Sequence, residues 1–107
     1  MVRSLDSFEE YQQVINDGRA IIIDFTAVWS APSKAITPAF ERLIAARVVP
    51  GLEGFKVDMD EQFQIVQAAG VRVAPTFIAY KGGQRIGEVI GANQIALQEL
   101  MRKVGDA

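Results

Sequence analysis

The chain has 107 residues, half of them apolar, with 11 Lys and Arg against 13 Asp and Glu and a formal net charge of −2. That length suits one domain around one core, which is the expected organisation over residues 1–107. The sequence has no basic surplus to neutralise phosphates, no apolar run near ~20 residues, and no Cys or His, which argues against nucleic-acid binding and a membrane span and excludes thiolate chemistry, His-based catalysis and Cys- or His-ligated metals.

Val2 to Leu5 allows a short strand. Ser7-Phe8-Glu9-Glu10 then fits a capping box, with Ser7 as N-cap and Glu10 reaching back to it. Phe8, Tyr11, Val14 and Ile15 recur at helical spacing, and Gly18 supplies a stop. The stretch AIIIDFTA (20–27) is a short, continuous, β-branched run of the kind buried on both faces of a sheet. A second helix follows on the apolar stripe Ile36, Phe40, Leu43 and Ile44. Pro38 inside it removes one backbone donor and is expected to kink it.

After Pro50-Gly51, LEGFKVD (52–58) reads as a strand. Asp60-Glu61 are expected to start a third helix that runs through Ala69 and closes at Gly70. TFIAY (76–80) and QRIGEVI (84–90) flank Lys81-Gly82-Gly83, a strong hairpin signal. Asn93 is the expected cap of a last helix that buries Leu97, Leu100, Met101 and Val104. Alternating strands and helices require parallel pairing, and the late hairpin adds antiparallel strands, so the class is α/β with a mixed sheet.

Asp24 stands between Ile21-Ile22-Ile23 and Phe25, either at a solvated edge or buried for a purpose. Its apolar flanks favour burial, because charged residues are rarely buried unless used. Asp58-Met59-Asp60-Glu61 places three carboxylates in four residues, but without the spacing of a calcium loop. Acids opening a helix are the favoured reading, and no metal site is expected. Lys81-Gly82-Gly83 is a hairpin rather than a phosphate loop, so no nucleotide or other cofactor is expected.

Six short strings stand in a telling order and spacing: Ile23-Asp24-Phe25, Trp29-Ser30-Ala31-Pro32-Ser33-Lys34, Lys56-Val57-Asp58, Ala74-Pro75-Thr76-Phe77, Lys81-Gly82-Gly83 and Ile90-Gly91-Ala92. Together they resemble the thioredoxin family over essentially the whole chain. That family carries W-C-G-P-C-K at its active-site loop. Here Ser30 and Ser33 stand at the two cysteine positions, Ala31 replaces the usual glycine, and Thr26 falls where an aromatic is common.

The resemblance implies a thioredoxin fold, a central mixed β-sheet of four to five strands flanked by four helices. It implies a parental reaction of dithiol–disulfide exchange serving cell redox homeostasis, with disulfide-containing protein substrates and thioredoxin reductase as partners, in a cytoplasmic monomer. By the same resemblance Ser30 stands for the nucleophile and Ser33 for the resolving thiol, while Asp24 is the buried acid that accepts and returns the second thiol's proton. Lys56 is either the partner of Asp24 or a snorkelling surface lysine. Unaided statistics make Ala74-Pro75 trans; the resemblance makes it cis and packs Pro75 against the loop. It also leaves the Ala74 backbone free to pair with an extended peptide. Trp29, Ala31 and Pro32 from the loop, with Met59, Ala74, Gly91 and Ala92, are then expected to line a mostly apolar groove.

The chemistry of the loop turns on its thiols. A thiol just ahead of a helix N-terminus is acidified by the free N–H groups and the dipole, and a second thiol one turn on resolves the mixed disulfide. A hydroxyl is far too basic to be ionised this way, and with no His in the chain Ser30 lacks the usual base. The chain as written is therefore expected to be redox-inactive. Two readings follow: the cysteine-to-serine form of a thioredoxin, or a natural redox-inactive module that binds polypeptides. A scaffold surface in an assembly is a weaker third. Retention of Asp24, a liability without a duty, favours the first.

Overall fold

The computed structural model describes residues 1–107. Its elements run β1 (Arg3–Ser4), α1 (Phe8–Asn16), β2 (Ile21–Thr26), α2 (Ala31–Ala45), β3 (Glu53–Asp58), α3 (Phe63–Ala69), β4 (Thr76–Lys81), β5 (Gln84–Ile90) and α4 (Gln94–Asp106). One five-stranded sheet is ordered β1-β3-β2-β4-β5. The first three strands are parallel; β4 lies antiparallel to β2, and β5 antiparallel to β4. Side chains alternate across a strand, and this divides the core in two. Ile21, Ile23 and Phe25 join Phe55 and Val57 against Tyr11 and Val14 of α1 and Ile65 of α3. Ile22, Phe77 and Ala79 face Ile36, Phe40 and Ile44 of α2 and the whole apolar stripe of α4. Both faces of β2 are covered, which is why its sequence is a continuous apolar run rather than an alternation.

Helix α2 approaches β3 so closely that a methyl group at Gly54 would lie 2.7 Å from Ile44 Cγ1. The helix runs without a break through Pro38. Pro38 lacks the N–H that would bond the Lys34 carbonyl one turn earlier, and both residues lie on the exposed side of the helix. The caps read from sequence are present at Ser7 and Asn93, whose side chains accept from Glu10 N–H and Ala96 N–H. Glu10, however, reaches back to the N–H of Asp6 instead of Ser7, while also pairing with Arg3.

The third helix corrects the expected start at Asp60-Glu61: it begins at Phe63. Asp58 Oδ1 accepts from Asp60 N–H at 2.9 Å, and the Asp58 carbonyl accepts from Gln62 N–H at 3.0 Å. A carboxylate that bonds the backbone two residues on stabilises a turn in competition with a helix. The acids of residues 58–61 thus shape the approach to α3 rather than its first turn. Gly70, at φ 72, ends the helix in the left-handed conformation that glycine adopts without penalty.

Candidate functional site

Ser30 is the N-cap of α2. Its Oγ accepts from Ser33 N–H at 3.2 Å and donates to the Ala74 carbonyl at 3.2 Å. The hydroxyl therefore ties the first turn of α2 to the segment ahead of β4. Only 4% of Ser30 is exposed. Ser33, three residues on, is fully buried, and its Oγ has no partner. The Ala74–Pro75 peptide bond is cis, as the resemblance implies. Gly91 N–H donates to the Pro75 carbonyl at 2.8 Å, which brings the end of β5 to the same place. Hydrogen bonds thus join Ser30, Ala74, Pro75 and Gly91, drawn from three distant parts of the chain.

Around this cluster the surface is apolar. Trp29 is 68% exposed, Ala31, Pro32 and Ala92 are exposed, and Ala74 and Gly91 are half-buried. Val28, Val73 and Ile90, none of them assigned to the groove from sequence, are also large exposed apolar residues. Met59 is held at the end of β2 by its N–H to the Thr26 carbonyl, and its side chain packs against the core under α1 and α3.

Asp24 lies on the α2 side of the sheet, fully buried. Its Oδ2 accepts a 2.6 Å hydrogen bond from Thr37 Oγ1, and its Oδ1 has no partner. Burial pushes the carboxyl up from 3.8 to about 6; the Thr37 hydrogen bond and the Lys56 charge oppose that rise, and Glu41 reinforces it. Lys56 is directly opposite Asp24 in the β2–β3 register. Its ammonium nevertheless pairs with Glu41 at 2.8 Å, so the direct Asp24–Lys56 pairing considered from sequence is not made. Lys56 acts on Asp24 only as a nearby charge.

Thr37 was missed by the sequence reading. The signal was present: Ser33, Thr37 and Glu41 follow at intervals of four, a polar stripe on the same side of α2 as Phe40 and Ile44. That stripe lies over Asp24 and Lys56. A cleft of about 420 Å³ opens beside it, lined in part by Thr26, Ser33, Lys34, Thr37 and Lys56. The arrangement joins a helix N-terminus capped by a hydroxyl, a second hydroxyl buried behind it, and a buried carboxyl raised to about 6.

A family model described as Thioredoxin matches residues 3–103. A thioredoxin of Malassezia sympodialis is 39% identical over 97 residues, covering 91% of this chain and 92% of the relative. The solved structure of a Malassezia sympodialis thioredoxin superimposes with a TM-score of 0.92 at 36% identity, covering 97% of this chain and 93% of that one. A cysteine-to-serine mutant of Entamoeba histolytica thioredoxin has a TM-score of 0.87 at 29% identity, covering 95% of this chain and 98% of that one.

Proposed function

The chain belongs to the thioredoxin family, and on that premise we propose that it is a protein-disulfide reductase in a redox-inactive form, with Ser30 and Ser33 at the positions of the two reactive thiols. The observation that carries this reading is the Ser30–Ser33 relationship at the start of α2. A sulfur at position 30 would receive the Ser33 N–H and the positive end of a 15-residue helix, both of which stabilise a thiolate.

In the parental reaction that thiolate attacks one sulfur of a substrate disulfide, forming a mixed disulfide and expelling the substrate's other sulfur as a thiolate. The thiol at position 33 passes its proton to Asp24 and attacks the mixed disulfide, releasing the second substrate thiolate and leaving an intramolecular disulfide. Asp24, held near pH 6, is suited to accept and return that proton. Lys56 tunes the acid through its charge. Pro75, the Ala74 backbone and Trp29 position the substrate, with Ala31, Pro32, Met59, Gly91 and Ala92 around them. The partners are protein disulfides and thioredoxin reductase, in a cytoplasmic setting. No helix of the structure is long and apolar enough to cross a membrane.

The serine hydroxyls cannot perform disulfide exchange, so this chain's own remaining capacity is to bind. The polypeptide-binding reading draws its support from the exposed apolar residues around Ala74, which persist without the thiols. The deciding experiment is reduction of a protein disulfide by Ser30→Cys/Ser33→Cys beside the chain as it stands, with thioredoxin reductase and NADPH. Turnover by the double variant alone is expected. A folded double variant without turnover would overturn the reductase reading and leave the binding module.

A further inference from the structure

Ala74 is a point in the cluster where both main-chain groups lack a backbone partner. Its N–H donates to no backbone carbonyl and its C=O accepts from no backbone N–H. The only protein group bonded to that carbonyl is the Ser30 hydroxyl. A residue ahead of proline is confined to extended backbone, where its N–H and C=O point to one side and together bond a single residue of a partner strand. Around it Trp29, Val73 and Ile90 expose apolar surface suited to the alternating side chains of such a strand.

We propose that Ser30 is a determinant of peptide affinity, because its hydroxyl competes with a bound strand's N–H for the Ala74 carbonyl. The proposal rests on the peptide-binding reading of this site. The Ser30 hydroxyl has one proton, and in the free chain that proton is directed at Ala74 while the oxygen receives Ser33 N–H. A peptide that pairs in full must displace it or share the acceptor with it. Alanine at this position offers no donor, and a thiol offers a weak one. Serine therefore does more than remove the sulfur chemistry: it closes half of the main-chain pairing unit that either residue would leave open. Exchange of one neutral hydrogen bond corresponds to about threefold to tenfold in affinity.

The test is an NMR titration of the isotopically labelled chain with a capped, cysteine-free heptapeptide of alternating valine and serine. Ser30→Ala, Ser30→Cys under reductant and Trp29→Ala are titrated alongside. Ser30→Ala is expected to bind about threefold to tenfold more tightly than the parent, with Ser30→Cys between them and Trp29→Ala much weaker. In the free Ser30→Ala chain the Ala74 carbonyl carbon resonance should move upfield, which a loss of helix capping alone would not cause. Ser30→Cys keeps a weak acceptor for Ser33 N–H and supplies the same comparison if Ser30→Ala fails to fold. Equal or weaker binding by both variants, with shifts still centred on Ala74 and Gly91, would overturn the competition and keep the groove. Absence of saturable shifts in every variant would overturn the groove and the proposal with it.

Discussion

Thr37 donates its hydroxyl to Asp24 across the boundary between α2 and the sheet, a 2.6 Å bond to an acid with no other hydrogen-bond donor in the protein. The pair sets the pH response of the fold. Asp24 titrates near 3.8 when unfolded and at about 6 when folded. Between those values the folded chain binds more protons than the unfolded one, so its stability falls as pH rises from about 4 through about 6 and levels off above. The full fall corresponds to roughly 3 kcal/mol. Asp24→Asn is expected to gain about 1–3 kcal/mol over the parent at pH 7.5 and almost nothing at pH 4, measured by urea unfolding. Comparing variant with parent separates Asp24 from Glu10, held below its usual value by the Asp6 N–H and Arg3, and from Asp17, held down by Arg19, both of which act in the opposite direction. A gain independent of pH would refute the assignment.

Thr37→Val keeps the shape of the side chain and removes the donor. A hydrogen bond to a charged group contributes about 1.5–3 kcal/mol, so a loss of that order is expected at pH 7.5, shrinking toward pH 4 as the carboxyl becomes protonated. The Asp24 carboxyl should at the same time titrate above its parental value near 6, which carbon NMR of its side chain would follow. A downward shift would mean that another donor takes over.

Ser33→Ala removes a buried hydroxyl that has no partner. Relieving an unsatisfied polar group and placing the best helix former in the first turn of α2 both favour the variant. A gain of about 1 kcal/mol in thermal or urea unfolding is expected. A loss of similar size would show that the hydroxyl is satisfied in solution.

Gly54→Ala tests the packing of α2 on β3. The added methyl would meet Ile44 Cγ1 at 2.7 Å, with Phe40 also close. Overpacking of this kind costs about 1–3 kcal/mol, and the combination with Ile44→Val should recover part of it. A neutral Gly54→Ala would mean that Ile44 re-packs freely and that the helix seat is loose.

Elements governed by their own residues were legible in the sequence. The apolar run at 20–27, the glycine hairpin at 82–83 and the caps at Ser7 and Asn93 each depend on local periodicity or local hydrogen bonds, and each stands where it was read. Contacts that depend on which side chain wins a shared partner were not legible. Lys56 had an acid directly across the sheet and a second on the helix above, and it pairs with the more exposed Glu41, where neither charge has to be stripped of water. The start of α3 failed for a related reason: Asp58 competes for the N–H groups that a capping reading gives to a helix. At the site, the positions of Ser30, Ser33 and Asp24 could be placed by resemblance, whereas Thr37 required knowing which side of α2 meets the sheet.

β2 is hydrogen-bonded on both flanks, to β3 along one edge and β4 along the other. Its amides should accordingly exchange with deuterium only when the whole molecule opens, which makes the strand carrying Asp24 the slowest-exchanging part of the chain. Proton traffic to Asp24 cannot then rely on local breathing of the sheet. Thr37, whose hydroxyl is bonded to Asp24, lines the cleft beside α2, so a proton can reach the acid by way of that hydroxyl while the strand beneath it stays closed.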